Sequence, residues 1–199
     1  MLPQGKLPRS FYARPVLSVA RECIGKILVH RTSEGTAAGR IVEVEAYRGP
    51  ADLAAHSSRG RTKRTEAMYG PPGHAYVYLL YGTSWAFNIV VAKEGEPHAV
   101  LVRALEPVEG LELMSKRRGV PTTSRLLTNG PGKLCHALAI TGADYARDLC
   151  GERLYLLEGD RGPIARFPRI NVDYAGVWAE RPWRFIERGN RWVSVAPRS

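Results

Sequence analysis

The sequence predicts an α+β fold, a single domain built on a mainly antiparallel, curved β-sheet with surrounding helices and one protruding β-hairpin. Three observations lead there. Strand-like alternation joined by short glycine-bearing turns recurs at both ends of the chain. Helical signatures are interspersed with it, without the regular strand–helix repeat of a parallel sheet. At 199 residues, 44% of them hydrophobic, the chain has the length and apolar content for one buried core, and no repeat or linker divides it.

Taken in order, residues 15–24 carry proline at the start and Gly25 just past the end, the asymmetry of a short helix. Residues 26–31 read as a strand, Ser33-Glu34-Gly35 as a turn and 39–47 as the returning strand. Gly49-Pro50 ends it, residues 51–57 allow one or two helical turns, and 58–65 form an exposed basic loop. The strongest strand pair is 74–81 with 85–92, joined at Gly82-Thr83-Ser84, and 98–105 is the next strand. A helix is expected from Glu106-Pro107 to about Arg118 and another over 131–140. Strands return at 153–157, at 169–174 and as a pair across Gly189-Asn190.

Several function classes are excluded early. Residues 67–92 lack Asp, Glu, Lys and Arg, yet Pro71-Pro72-Gly73 and Gly82 interrupt them, so they read as buried β-structure rather than a membrane span. Cys23, Cys135 and Cys150 are an odd set without a C-x-x-C pair, predicting reduced thiols. The first ten residues carry no apolar run of signal-peptide length. A cytoplasmic, nucleoid-associated location is expected, or a nuclear one in a eukaryote. None of the five histidines is followed by x-Glu, no H-E-x-x-H occurs, and Leu134 after Gly132-Lys133 spoils a phosphate-binding loop. Neither a metal nor a cofactor is expected.

Net charge is +10, and arginine supplies 23 of the 29 positive residues. Its planar fork suits phosphate, so a polyanionic partner or simply a basic surface follows. Residues 59–64 and 116–118 hold seven cations without an intervening acid in either run, and 161–199 hold eight arginines against three acids.

Three constellations carry chemistry. In Arg40-Ile41-Val42-Glu43-Val44-Glu45-Ala46-Tyr47 the period of two puts Ile41, Glu43, Glu45 and Tyr47 on one face, with the carboxylates roughly 6.5–7 Å apart at the backbone. Such a pair suits a base that activates water beside a neighbour that orients it; a solvated strand face is the plainer alternative. In Tyr76-Val77-Tyr78-Leu79-Leu80-Tyr81-Gly82, Tyr76 and Tyr78 share a face and Tyr81 falls at the hairpin tip. Tyrosines pack readily in sheets, but one at a tip can wedge into a duplex, and one in a pocket can stack on an extruded base. Asn88 can read a base edge or satisfy a core contact. Arg103, inside an apolar strand, needs an anionic partner, and Glu45 is the candidate. The turn Asn129-Gly130-Pro131-Gly132-Lys133 offers N–H groups to a phosphate or merely starts a helix.

With Gly39–Tyr47, Ala54-Ala55-His56-Ser57, Tyr76–Gly82, Leu101–Pro107, Gly130–Cys135 and Trp192-Val193-Ser194-Val195 in this order, nearly the whole chain resembles the alkyladenine (3-methyladenine) DNA glycosylase family of the mammalian type. The resemblance implies Glu45 as general base, with Arg103 and the Val172 carbonyl holding the attacking water. It implies a base pocket of Tyr47, His56 and Tyr78, with the His56 backbone bonding the base and Asn88 screening out guanine. Tyr81 would fill the gap in the duplex from the minor groove. On its residues alone His56 reads as a structural histidine. Asn171 stands where the family pattern has glycine, and Asp173-Tyr174 replaces a smaller, more basic pair.

The expected activity is monofunctional hydrolysis of the N-glycosidic bond of damaged purines (3-methyladenine, 7-methylguanine, hypoxanthine, ethenoadenine) flipped from double-stranded DNA, by a monomer. No lysine is placed as a Schiff-base nucleophile. The rival readings are a non-enzymatic minor-groove DNA-binding protein on the same scaffold and a hydrolase of free nucleosides, against which the basic surface argues.

Overall fold

The computed structural model describes residues 2–80 and 82–195. The chain enters through α1 (Arg9–Tyr12) and α2 (Val16–Cys23). In α2, Val16, Val19, Ala20 and Cys23 recur at helical spacing and form its buried face. Two strands follow, β1 (Ile27–Thr32) and the 14-residue β2 (Gly35–Arg48). Next come β3 (Ala75–Leu80), β4 (Ser84–Val91) and β5 (His98–Glu109), then α3 (Leu111–Arg118) and α4 (Pro131–Leu138). Three short strands end the fold: β6 (Leu154–Leu157), β7 (Ile164–Phe167) and β8 (Arg184–Glu187). The sheet runs β3-β4-β5-β2-β1-β6, with β8 on β2 and β7 on β8, and every pairing is antiparallel. The α+β expectation therefore holds. Among the described residues no helix is long and apolar enough to cross a membrane.

Strand β2 organises the sheet. Along one side it meets β5; along the other its first half pairs with β1 and residues Glu43–Glu45 pair with β8. Its ladder with β5 is interrupted three times, once near its start, where Ala38 faces Glu109 and Gly39 faces Pro107, and twice beside the carboxylates. Ile41 faces Leu105 and Glu43 faces Ala104, leaving Val42 as an extra residue; Val44 then faces Val102, leaving Arg103 extra on β5. The bulge at Val42 corrects the strict alternation read from sequence. Ile41 turns into the apolar core with Val42, Val44 and Ala46, while Glu43, Glu45 and Tyr47 keep the opposite side. Each of these buried valines and isoleucines contributes about 1.5–3 kcal/mol relative to exposure.

Other expectations are corrected as well. The helix expected from Glu106 begins only at Leu111, because Arg40 bonds Glu106 and the β2 ladder carries β5 on to Glu109; a left-handed Gly110 (φ 73°) then turns the chain into α3. Residues 169–174 are not a strand: Asn171 is left-handed at φ 57°, and a 3-10 run covers Asp173–Trp178. Asparagine tolerates that conformation better than most residues, so the backbone expected of glycine is kept. Strand β8 ends before Gly189-Asn190, and its partners are β2 and β7 rather than the segment that follows. The helical turns expected at 51–57 are a turn and a 3-10 helix, His56–Arg59.

Candidate functional site

One cavity of about 840 Å³ opens between the β3–β4 hairpin, the β2 and β5 face, the start of α4 and residues 170–174. It gathers most of the residues singled out from sequence: Tyr47, His56, Tyr78, Asn88, Arg103, Val172, Gly132 and Lys133 all line it. Glu45 lies directly behind them with no exposed surface. Tyr81 lies outside the described residues.

Glu45 is not on a solvated face. One oxygen accepts hydrogen bonds from the Tyr47 hydroxyl (2.9 Å) and Arg103 Nη1 (3.3 Å), the other from the Ile170 backbone N–H (2.8 Å). The bulge at Arg103 aims its guanidinium at this point. Burial opposes the Arg103 charge, but Glu45 and Glu43 hold its pKa above the ordinary value. Burial, with the Glu45 charge beside it, pushes the Tyr47 phenol well above its usual range, so it remains a donor. The Val172 carbonyl accepts from Ala175 N at 2.9 Å and keeps a second lone pair.

The aromatic wall is built on β2, β3 and the His56 turn. His56 Nδ1 bonds the Tyr76 hydroxyl (2.8 Å), and its ring lies edge-on to Tyr78 with centroids 4.6 Å apart. Burial, with Arg64 and Arg59 adding, pushes His56 down to about 4, so it is neutral at pH 7. Asn88 faces Tyr76 across the hairpin and donates from Nδ2 to its carbonyl (3.1 Å). The core-contact role is thus filled while the residue still lines the cavity. Arginines cap two of the rings: Arg169 lies 4.8 Å from the centroid of Tyr47, and Arg64 5.0 Å from that of Tyr78.

At the rim, Lys133 Nζ donates to Asn129 Oδ1 (2.9 Å), and burial with nearby Arg118 and Arg125 lowers its pKa. Gly132 admits the hairpin: a Cβ there would come within 2.7 Å of Ser84 Cβ. Many cations of the basic runs already hold partners within the chain. Arg117 bonds Glu34 and Thr32, Arg118 bonds the Leu126 and Leu127 carbonyls, and Arg61 pairs with Glu66.

Two members of the site escape sequence reasoning. Asp52 and Arg169 form a fully buried bidentate pair (2.5 and 2.8 Å) that ties the chain after β2 to the segment carrying Val172. Arg169 also donates to the Ala46 and Trp178 carbonyls. The only sequence signal was an acid following Gly49-Pro50.

Histidine burial sets a pH dependence. His30 is fully buried, with burial holding its pKa below the ordinary value, and His56 is lowered too. An unfolded histidine takes up a proton near pH 6.5, so the native state binds fewer protons below that pH. Stability is therefore complete above about pH 6.5 and declines on acidification, for His56 down to about pH 4. Thermal melts at pH 7.5 and 5.5 should show a lower midpoint at 5.5, with a smaller drop in His56→Gln; equal drops would contradict the assignment of His56.

Residues 10–191 match the methylpurine-DNA glycosylase family. A protein of Anaeromyxobacter dehalogenans is 51% identical over 192 residues, 95% of this chain and 86% of the relative. One of Clostridium acetobutylicum is 47% identical over 200 residues (96% and 98%), and one of Methanocella arvoryzae 50% over 190 (94% and 95%). All three relatives bear names that assign them to 3-methyladenine DNA glycosylases.

Proposed function

The chain belongs to the methylpurine-DNA glycosylase family and is a DNA glycosylase, a hydrolase of N-glycosidic bonds, and from that premise we propose that its cavity receives a damaged purine flipped from duplex DNA. The observation that carries the reading is Glu45, a buried carboxylate held by Arg103, Tyr47 and Ile170 N at the back of an aromatic cavity.

In this reading the base stacks between Tyr47, His56 and Tyr78, Asn88 crowds the exocyclic amine of guanine, and Tyr81 fills the vacated position in the duplex. Flipping costs a few kcal/mol, least at a damaged pair. Glu45 takes a proton from a water held by Arg103 and the Val172 carbonyl. The water oxygen bonds the sugar C1′ while the C1′–N bond breaks, its electron pair leaving with the base. Because Glu45 has no exposed surface, the water reaches it as the cavity-lining Tyr47, whose hydroxyl bonds Glu45, turns aside. Gly132 and Lys133 contact a phosphate, and the protein acts as a monomer.

The test is release of free base from duplex oligonucleotides carrying 3-methyladenine, 7-methylguanine, hypoxanthine or ethenoadenine; no release from any of them contradicts the reading. Arg64 sharpens it. Its cation stands over Tyr78 and lines the cavity, where it repels a cationic base more than a neutral one. Arg64→Gln is expected to raise 7-methylguanine release relative to hypoxanthine several-fold, and an unchanged ratio would remove Arg64 from substrate selection.

A further inference from the structure

Behind the cavity lies a second carboxylate that base removal as described does not use. Glu43 sits two residues before Glu45 on β2 and, like it, has no exposed surface. One of its oxygens accepts from Arg184 Nη1 (2.9 Å) and lies 3.4 Å from Arg103 Nε; the other accepts from the Ser194 N–H (2.7 Å). Arg103 then reaches Glu45 through Nη1. The result is a buried row, Arg184–Glu43–Arg103–Glu45, in which two cations alternate with two anions across β8, β2 and β5.

The Arg103–Glu45 pair already balances its own charge. Adding Glu43 and Arg184 brings two more ions out of water, and the desolvation of a buried ion pair offsets much of its attraction, so stability alone does not account for the row. The geometry of Arg103 points elsewhere. Its approaches to the two carboxylates are both long, 3.3 and 3.4 Å, and its buried Nε makes no hydrogen bond among the described residues. The guanidinium keeps one long hydrogen bond to Glu45, while its Nε stands within ion-pair distance of Glu43 without bonding it.

We propose that Glu43 is a positioning residue that competes with Glu45 for Arg103 and so sets how tightly the guanidinium holds Glu45, with Arg184 setting the strength of that pull. The inference rests on Glu45 being the base. The groups facing Glu45 are Glu43 and Tyr47 from β2, Arg103 from β5, Tyr78 from β3 and the Ile170 N–H, with Arg184 of β8 acting through Glu43. Burial raises the Tyr47 and Tyr78 phenols, so neither titrates in the working range.

Two substitutions push in opposite directions. In Glu43→Gln an anion is lost near Glu45 and Arg103 is freed to pair with it, so Glu45 holds a proton less readily. In Arg184→Gln a cation is lost and Glu43 draws Arg103 away, so Glu45 holds a proton more readily. The experiment is the pH–rate profile of single-turnover release from a 7-methylguanine duplex, whose cationic base needs no proton to leave. Glu43→Gln should move the acid limb down by about one unit and lower the plateau about tenfold; Arg184→Gln should move the limb up. If Glu43→Gln does not fold, Glu43→Gln/Arg184→Gln removes both charges together, and its limb should still move down because Glu43 is the nearer group. Limbs that stay at the wild-type pH, or that move the same way in both single variants, overturn the proposal, as does an unmoved limb in the double variant. Absence of release by the wild type would instead overturn the base-removal reading on which it stands.

Discussion

Glu45→Gln is expected to lower base release by about 10²–10⁴-fold while leaving duplex binding near the wild-type level. The substitution keeps the shape of the side chain and its capacity to accept from the Ile170 N–H, but removes the negative charge and the site for the proton taken from water. The cavity wall stays in place, since Tyr47, Tyr78 and Asn88 are set by the β2–β5 and β3–β4 ladders rather than by Glu45. Removing one anion leaves Arg103 facing Glu43 alone, so a modest fall in melting temperature is expected as well. Release rates under single turnover and binding to the same duplex are the two measurements. Full activity in the variant would displace Glu45 from its role; equal loss of activity and binding would make it a structural residue.

The second large effect concerns stability. Asp52→Ala leaves the Arg169 guanidinium buried with two carbonyls but no counter-charge. Breaking a buried pair in this way costs about 3–5 kcal/mol, a fall in melting temperature of roughly 10 °C for a chain of this size. Asp52 also accepts the backbone N–H groups of Arg48 and Ala54, so the turn that delivers His56 loosens with it. Activity should decline well below the melting temperature. Asp52→Ala/Arg169→Met, which removes the stranded charge, should recover part of the loss. A melting temperature for Asp52→Ala within about 2 °C of wild type, under 1 kcal/mol, contradicts this account.

The sheet was legible from alternation where the ladder is regular. Tyr76 and Tyr78 share the cavity face, and Glu43, Glu45 and Tyr47 share theirs, because side chains in an unbroken strand repeat every two residues. Ile41 was misplaced because a bulge is a property of two strands meeting, and neither sequence contains it alone. The early helix at Glu106 failed for a related reason: its Glu-Pro signal was outweighed by the pairing of Arg40 with Glu106 across the strands. At residues 169–174 the apolar pattern was overridden by the left-handed Asn171 and by the pull of Arg169 on Asp52.

Among site residues, Arg103 announced its need for a partner because it interrupts an apolar run, and the structure gives it two carboxylates instead of the one expected. His56 gave no such sign; its environment is made by Tyr76 and Tyr78, some twenty residues further along the chain. The charge tally was the least informative reading. Arg169 and Arg184 serve buried anions, and Arg117 and Arg118 brace α3, so the count of 29 positive residues overstates the cations available to phosphate.

The central claim is that water, activated at Glu45, replaces the base at the sugar C1′. The most direct measurement is base release from a 7-methylguanine duplex with borohydride added to trap any covalent intermediate. Intact free base, an unbroken strand carrying an abasic site, and no protein–DNA adduct are expected. A trapped adduct, with Lys133, the one lysine among the described residues lining the cavity, as the first amine to test, or a strand cleaved at the abasic site, would contradict that claim.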